Sequence, residues 1–146
     1  MIRHLKETDI DIIAKIWLDT NIKSHDFISK KYWESNFNMV KNLFLQSEIY
    51  VYEDKQTIQA FVGIENDYIE GIFVSNEFQS QGIGKLLLDF VKSKKVNLYL
   101  NVYQKNIRAV NFYQREGFKI QRENLDKNTG EKEYVMTWKK TSTSNL

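Results

Sequence analysis

Apolar positions recur along the chain with two different spacings, and the switches between them mark out the elements. Residues 2–5 read as a short strand. Thr8 then opens a Thr-x-x-Asp capping box with Asp11, and Ile12, Ile13, Ile16 and Trp17 follow at helical spacing. A second helix is expected over residues 29–46, with Trp33, Phe37, Val40 and Phe44 on one face. The polar segment between the two helices carries His25, Asp26 and Phe27. At residue 48 the period falls to two: Ile49 and Val51 alternate with Tyr50 and Tyr52. Strands are expected over 48–53, 57–64 and 68–74, joined by Asp54-Lys55-Gln56 and Glu65-Asn66-Asp67, which makes an antiparallel meander.

Beyond the meander, strand and helix patterns alternate. Gly82 opens a helix with Ile83, Leu86, Leu87, Phe90 and Val91 as its apolar stripe, and residues 96–102 read as a strand. Residues 106–116 form a helix stopped by Gly117, and strands over 118–122 and 134–138 turn through Asn128-Thr129-Gly130. The order β-α-α-β-β-β-α-β-α-β-β describes an α/β (α+β) domain. It predicts a mixed central sheet of about six to seven strands with helices on both faces. No linker or repeat divides the chain, so residues 1–140 are expected to form one domain and 141–146 a polar tail.

Composition narrows the chemistry. Of the 146 residues 42% are hydrophobic and 27% charged, which suits one packed core, and the net charge of +2 is too small to argue for nucleic acid. Lys92, Lys94 and Lys95 sit where a helix should end, and cations are favoured there by the helix dipole. The absence of cysteine excludes disulfides, thiolate metal sites and a cysteine nucleophile. Two distant histidines, His4 and His25, offer no metal-ligand spacing, so no metal is expected. Charges within the first twenty residues leave no signal-peptide core, and no apolar run reaches the roughly 20 residues of a membrane span. A cytoplasmic protein, monomeric or homodimeric, is expected, without nucleic-acid or membrane partners.

The most informative stretch runs from residue 72 to residue 85. A strand feeds a short loop, and the loop feeds a helix through Gly82-x-Gly84. Amides at a helix start are unsatisfied and point outward, the dipole adds partial positive charge, and glycines let a ligand come close. A dinucleotide fingerprint would need a small residue at 87, where Leu87 stands. A P-loop would need glycine at 79 and Ser or Thr at 86, where Gln79 and Leu86 stand. Neither motif is present, and the two glycines read either as a phosphate site or as a purely structural strand–helix turn.

Gln79-x-x-Gly82-x-Gly84 resembles the pyrophosphate motif of the GNAT (GCN5-related N-acetyltransferase) superfamily. Downstream, Asn106-x-x-Ala109-x-x-Phe112-Tyr113-x-x-x-Gly117-Phe118 resembles its second signature, in the same order and spacing. Asn76 departs from the pattern where many relatives have proline, a position that shapes the loop and carries no chemistry. Ser24-His25-Asp26-Phe27 with Trp17 before it, and the run from Tyr103 to Tyr113, are similar to a subgroup of small bacterial GNAT proteins with poorly defined acceptors.

The resemblance implies an N-acetyltransferase in which an amine attacks acetyl-CoA directly in a ternary complex. The rival reading on the same fold is a non-catalytic acyl-CoA-binding or regulatory module. The pantetheine arm would pair with the backbone of Phe73 and Val74 where two strands splay apart. The pyrophosphate would lie on the loop of Gln79, Ser80, Gln81, Gly82, Ile83, Gly84 and Lys85, and Asn106 would contact CoA. The Val74 N–H would stabilise the thioester oxyanion. Tyr113 would protonate the departing thiolate, for which a phenol of pKa about 10 is suited.

The base is open between Glu70, which shares a strand face with Tyr68, and His25 in the acceptor wall. His25, Asp26, Phe27 and Tyr32 are candidate acceptor-binding residues, a mixture of aromatic and acidic groups suited to a cationic amine. Trp17 and Trp33 read better as helical core. The acceptor is a small-molecule or protein amine.

Overall fold

The computed structural model describes residues 1–141, so the expected polar tail beyond Thr141 lies outside the described residues. The chain begins with strand β1 (Ile2–His4) and continues through helices α1 (Ile10–Ser24) and α2 (Lys30–Leu43). The meander follows as β2 (Glu48–Asp54), β3 (Thr57–Glu65) and β4 (Tyr68–Val74). Helix α3 (Ile83–Lys92), strand β5 (Asn97–Tyr103), helix α4 (Ile107–Arg115) and strands β6 (Lys119–Asp126) and β7 (Glu131–Lys139) complete it. The seven strands form one mixed sheet ordered β1-β2-β3-β4-β5-β7-β6, with helices on both faces as the alternation of patterns predicts. Among the described residues no helix is long and apolar enough to cross a membrane.

Two apolar cores flank the sheet. α1 and α2 bury Ile13, Trp17 and Trp33 against Ile49, Val51 and Phe61. α3 and α4 bury Leu87, Leu88, Val91 and Tyr113 against Val62, Ile64, Leu98 and Leu100 on the other side. This two-sided cover explains why β2 hides tyrosine as well as aliphatic positions: Tyr50 faces one core while Ile49 and Val51 face the other.

Three local expectations are corrected. α1 starts after a 3-10 turn at Glu7–Asp9, and Asp9 rather than Asp11 holds its beginning. The Asp9 carboxylate accepts the Lys6 N–H at 2.8 Å and receives Arg3 Nη1 at 2.8 Å, so this buried carboxylate has charged and backbone donors. Asp11 stays in solvent. In α3, Leu88 joins Ile83, Leu87 and Val91 in the core, whereas Leu86 is 50% exposed. A helix beginning at Ile83 turns residue 86 away from a sheet that residues 83, 87 and 91 contact. Finally, β6 reaches Asp126 and β7 begins at Glu131, so the last hairpin is longer than its apolar residues suggest.

Two features of β4 prepare the site. Every neighbouring strand pair is antiparallel except β4–β5, and that parallel pair is held at a single register position, Tyr68↔Tyr99. Beyond it the strands diverge. Within β4, Gly63↔Gly71 and Ile64↔Ile69 leave Glu70 as the extra residue of a β-bulge. The Glu70 Cβ lies 3.8 Å from the point a Gly63 side chain would occupy, beside Ile49. Glu70 is thereby placed on the face that carries α1 and α2.

Candidate active site

The ladder decides which peptide groups of β4 are free. Ser75 N–H donates to Gln59 O at 2.8 Å, which fixes the alternation of an antiparallel pair. Phe73 therefore turns its peptide groups to Phe61, while Ile72 and Val74 turn theirs toward the gap opposite β5. The Val74 carbonyl in the gap accepts Gln79 Nε2 at 3.0 Å, which ties the following loop to the strand. The Phe73 ring stacks on Phe61 at 4.8 Å, on the side away from α3 and α4.

A cleft of about 660 Å³ opens between the end of β4, the start of α3 and one face of α4. Of the residues expected at the donor site, Val74, Gln79, Ser80, Gly82, Ile83, Gly84, Lys85, Asn106 and Tyr113 line it; Phe73 and Gln81 do not. The loop is pre-shaped for an anion. Ser80 (φ 65°) and Gly82 (φ 83°) are both left-handed, a conformation that glycine adopts freely and serine does not. The first amides of α3 have no side-chain cap and, as at any helix start, no intrahelical partner. Nothing lies within 4 Å of a Cβ added at Gly82, and at Gly84 the nearest atoms are Phe112 Cζ and Val74 Cγ2 at 3.7 and 3.8 Å. Glycine here keeps open the space a ligand would use.

Lys85 Nζ lies 3.1 Å from both Asp89 and Glu116, so its charge is balanced within the protein. Arg108 and Arg115 also line the cleft, and Arg108 bridges Gln79 Oε1 at 2.9 Å and Ser80 Oγ at 2.8 Å. The sequence held a signal for them. Arg108, Phe112 and Arg115 recur at i, i+4, i+7 after the Asn106 cap, on the face of α4 turned to the cleft.

α4 is fixed at both ends. Asn106 Oδ1 accepts the Ala109 N–H at 3.2 Å as N-cap. At the other end, Gly117 (φ 94°) allows Phe118 N–H to reach Tyr113 O at 2.9 Å and Gly117 N–H to reach Gln114 O, a Schellman closure. Tyr113 is thus held in the last turns of a doubly capped helix. Its phenol is buried, and burial pushes its pKa well above the ordinary value, with Tyr68 adding to the shift. The group keeps its proton at neutral pH.

On the opposite side of the gap a second group of side chains converges. His25 stacks on Trp33 (5.4 Å) and meets the edges of Phe27 (5.6 Å) and Tyr103 (5.0 Å). Its Nδ1 faces Asn21 Oδ1 at 3.1 Å and its Nε2 faces Asn106 Nδ2 at 3.0 Å, so both ring nitrogens are engaged. Burial pulls its pKa down to about 4 against the opposing charge of Asp26. Asp26 itself is exposed. Tyr32 packs edge-on against Trp33 at 5.0 Å, and its pKa is raised by burial and then by Asp126.

Glu70 is open to solvent at one side, yet partial burial and Glu65 raise its pKa. Neighbouring Tyr68 is pushed up to about 12, by burial first and then by Glu133 and Glu70. Glu133 gave no local signal in the sequence, and β7 brings it here. Its Oε1 accepts Asn124 Nδ2 at 2.7 Å and Asn101 Nδ2 at 3.0 Å, while Tyr103 Oη donates to Asp126 Oδ2 at 2.6 Å. Among the described residues no lysine or arginine pairs with Glu70, Glu133 or Asp126.

Comparison with known proteins bears on this geometry. Residues 46–120 match the model of the acetyltransferase (GNAT) domain. The chain is 34% identical over 122 residues to the peptidyl-lysine N-acetyltransferase YiaC of Escherichia coli strain K12, covering 82% of this chain and 84% of that protein. It is 26% identical over 120 residues to peptidyl-lysine N-acetyltransferase YjaB of Salmonella typhimurium, covering 82% and 83%. In fold it is similar to the solution structure of apo YjaB from Escherichia coli, with a TM-score of 0.85 at 20% identity over 94% of this chain and 96% of that one. It is also similar to the PaiA N-acetyltransferase of Thermoplasma acidophilum in complex with coenzyme A, with a TM-score of 0.78 at 19% identity over 96% and 98%. The chain belongs to the family of GNAT acetyltransferases, and its reaction is acetyl transfer from acetyl-CoA to an amine.

Proposed function

We propose that the protein acetylates lysine side chains of peptides or proteins in the cytoplasm, where acetyl-CoA is supplied. One observation carries the acceptor class: Glu70 and Glu133, without a cationic partner among the described residues, both lie close enough to Tyr68 at the β4–β5 seam to raise its pKa, and Glu133 is the cross-strand partner of Tyr103 in the aromatic group. A lysine ammonium on an aliphatic stem matches that combination of charge and apolar surface. The names of the YiaC and YjaB relatives support the same acceptor class.

In this reading the donor lies in the 660 Å³ cleft, with its phosphates on the Gln79–Lys85 loop and its arm along the inward peptide groups of Ile72 and Val74. The Val74 N–H stabilises the oxygen of the thioester as it gains charge. The acceptor must first lose a proton, which costs about 4–5 kcal/mol at neutral pH for an amine of pKa ~10.4. Glu70 takes that proton, directly or through water. Its raised pKa makes it a better base than an ordinary carboxylate. The amine nitrogen bonds to the acetyl carbon, the C–S bond breaks, Tyr113 delivers its proton to the departing sulfur, and the proton that the nitrogen sheds on becoming an amide restores the Tyr113 phenol through solvent. His25 takes no part in the proton transfers, because both its nitrogens are engaged and it stays neutral.

The test is an acetyl-CoA-dependent thiol-release assay over four acceptors: a lysine peptide with a blocked N-terminus, a lysine-free peptide with a free N-terminus, a polyamine and an aminoglycoside. Product masses locate the acetyl group. Turnover is expected on the first peptide, with acetyl on the lysine Nζ. Turnover confined to any of the others overturns the acceptor assignment and leaves the donor site standing.

A further inference from the structure

The contacts of His25 continue into a chain of four hydrogen bonds with one permitted direction. At one end, Asn21 Nδ2 donates to Trp17 O at 2.9 Å, which turns Asn21 Oδ1 toward His25. At the other, Asn106 Oδ1 is occupied by the Ala109 N–H, which turns Asn106 Nδ2 toward His25 Nε2. A ring between a carbonyl oxygen and an NH₂ group fits as a single tautomer, with the proton on Nδ1 and the lone pair on Nε2. Protonation, or the other tautomer, would set two N–H groups face to face. The chain spans 81 residues of sequence between His25 and Asn106 and joins the end of α1 to the start of α4, whose first turn supplies Asn106, Arg108 and Ala109 to the cleft.

We propose that His25 is a positioning residue for the donor site: it holds the Asn106 amide in the orientation that caps α4 and so fixes the first turn of that helix against acetyl-CoA. The proposal rests on the reading of the cleft as the acetyl-CoA site and assigns His25 a place in donor binding, where its position in the sequence pointed to the acceptor. The physical reason is the cost of an unpaired partner. Without an acceptor at position 25, Asn106 Nδ2 loses its bond in a partly buried setting, and the amide is free to rotate off the Ala109 N–H. The first turn of α4, with Arg108, then loosens at the point where it meets the ligand.

Two measurements test this. In the ligand-free wild-type protein at pH 7, long-range proton–nitrogen NMR of the imidazole should show hydrogen on Nδ1 and a lone pair on Nε2. The opposite tautomer overturns the proposal whatever the variants do. Calorimetry with acetyl-CoA then compares wild type, His25→Phe, Asn106→Ala and the double variant. Both single changes should weaken binding about tenfold, and the double variant should be no weaker than Asn106→Ala alone.

At saturating donor, kcat should stay within about threefold while KM for acetyl-CoA rises, and His25→Gln, whose amide oxygen can accept from Asn106, should recover most of the affinity. Additive losses, an unaffected Asn106→Ala protein, or a kcat loss in His25→Phe that is repaired at high pH each overturn the positioning role. Absence of acetyl-CoA binding by the wild type would refute the donor-site reading itself, while the tautomer measurement still decides the orientation of the relay.

Discussion

In the proposed reading, the two sides of the β4–β5 gap would recognise their ligands with different parts of the chain. On the donor side the candidate elements are mainly backbone: left-handed residues at Ser80 and Gly82, the uncapped amides at the start of α3, and the gap-facing peptide groups of Ile72 and Val74. They lie within fourteen consecutive residues. On the acceptor side they are side chains drawn from the α1–α2 connection, α2, β4, β5 and the β6–β7 hairpin, spread over more than a hundred residues between His25 and Glu133. A backbone site constrains which residues can stand there, because only some tolerate the required dihedrals and close approach. A side-chain site can be rebuilt residue by residue on the same scaffold. One sheet can therefore keep its donor while its acceptor changes.

That contrast can be broken most severely at Gly84. A Cβ fits there at ordinary contact distance, so Gly84→Glu should fold, but its carboxylate would enter the phosphate path. Acetyl-CoA affinity should fall by roughly 10³-fold or more, about 4 kcal/mol or above. A folded Gly84→Glu protein with unchanged affinity in calorimetry would remove the donor half of the comparison. Next in size is Tyr113→Phe, which keeps the packed ring and removes the hydroxyl. Single-turnover kcat should drop by about 10²–10⁴, with donor affinity unchanged, and a wild-type rate would exclude Tyr113 as proton donor.

A third experiment sharpens the comparison at His25, where the two sides meet. Its folded pKa of about 4 lies below the ordinary 6.5, so the unfolded chain takes up the proton first as pH falls. The stability that neutral His25 allows is complete above pH 6.5 and is lost between 6.5 and 4. At pH 5 the loss is about 2 kcal/mol. Asp26 is the charged group that opposes the shift; the other faces of the ring meet Trp33, Phe27, Tyr103 and the two asparagine amides. Urea unfolding at pH 7.5 and pH 5 should show this difference in wild type and not in His25→Gln. Equal pH dependence in the two proteins would mean that His25 titrates normally.

The smallest effect is expected from Glu133→Gln, which keeps the shape of the Asn101–Glu133–Asn124 cluster and removes its charge. KM for a lysine peptide should rise about tenfold, in line with the 1.5–3 kcal/mol of a charged hydrogen bond, while acetyl-CoA binding stays the same. An unchanged KM would take Glu133 out of acceptor recognition.

The same contrast explains what could be read from the sequence. Most of the strand and helix periods appear in the structure, since each is a local pattern enforced by one buried face, and the glycine loop is local too. Arg108 and Arg115 were legible in principle, at helical spacing behind a recognised cap, yet a motif reading passes over residues that the motif leaves free. The bulge at Glu70 was not legible. It depends on how β3 and β4 pair, and two glycines face each other beside it without any sequence rule requiring a register shift. Glu133 and the His25–Asn106 bond were hidden for the same reason: they join positions 32 and 81 residues apart, and only the closed sheet brings them together. Asp9 displaced Asp11 because Arg3, from the preceding strand, pairs with it.

The single register position between β4 and β5 leaves the sheet as two panels joined by a short seam. Ile72 and Val74 on one lip and Asn101 on the other present peptide groups with no strand opposite, and the panels are otherwise held together through the helices that lie across them. An extended ligand arm lying in the opening would act as a removable half-strand, stiffening the molecule while it stays and restoring compliance when it leaves. Amide protons along both lips should then exchange with solvent more slowly when CoA is bound. The pace of product release would be set by how readily the two panels part, a mechanical property of the seam.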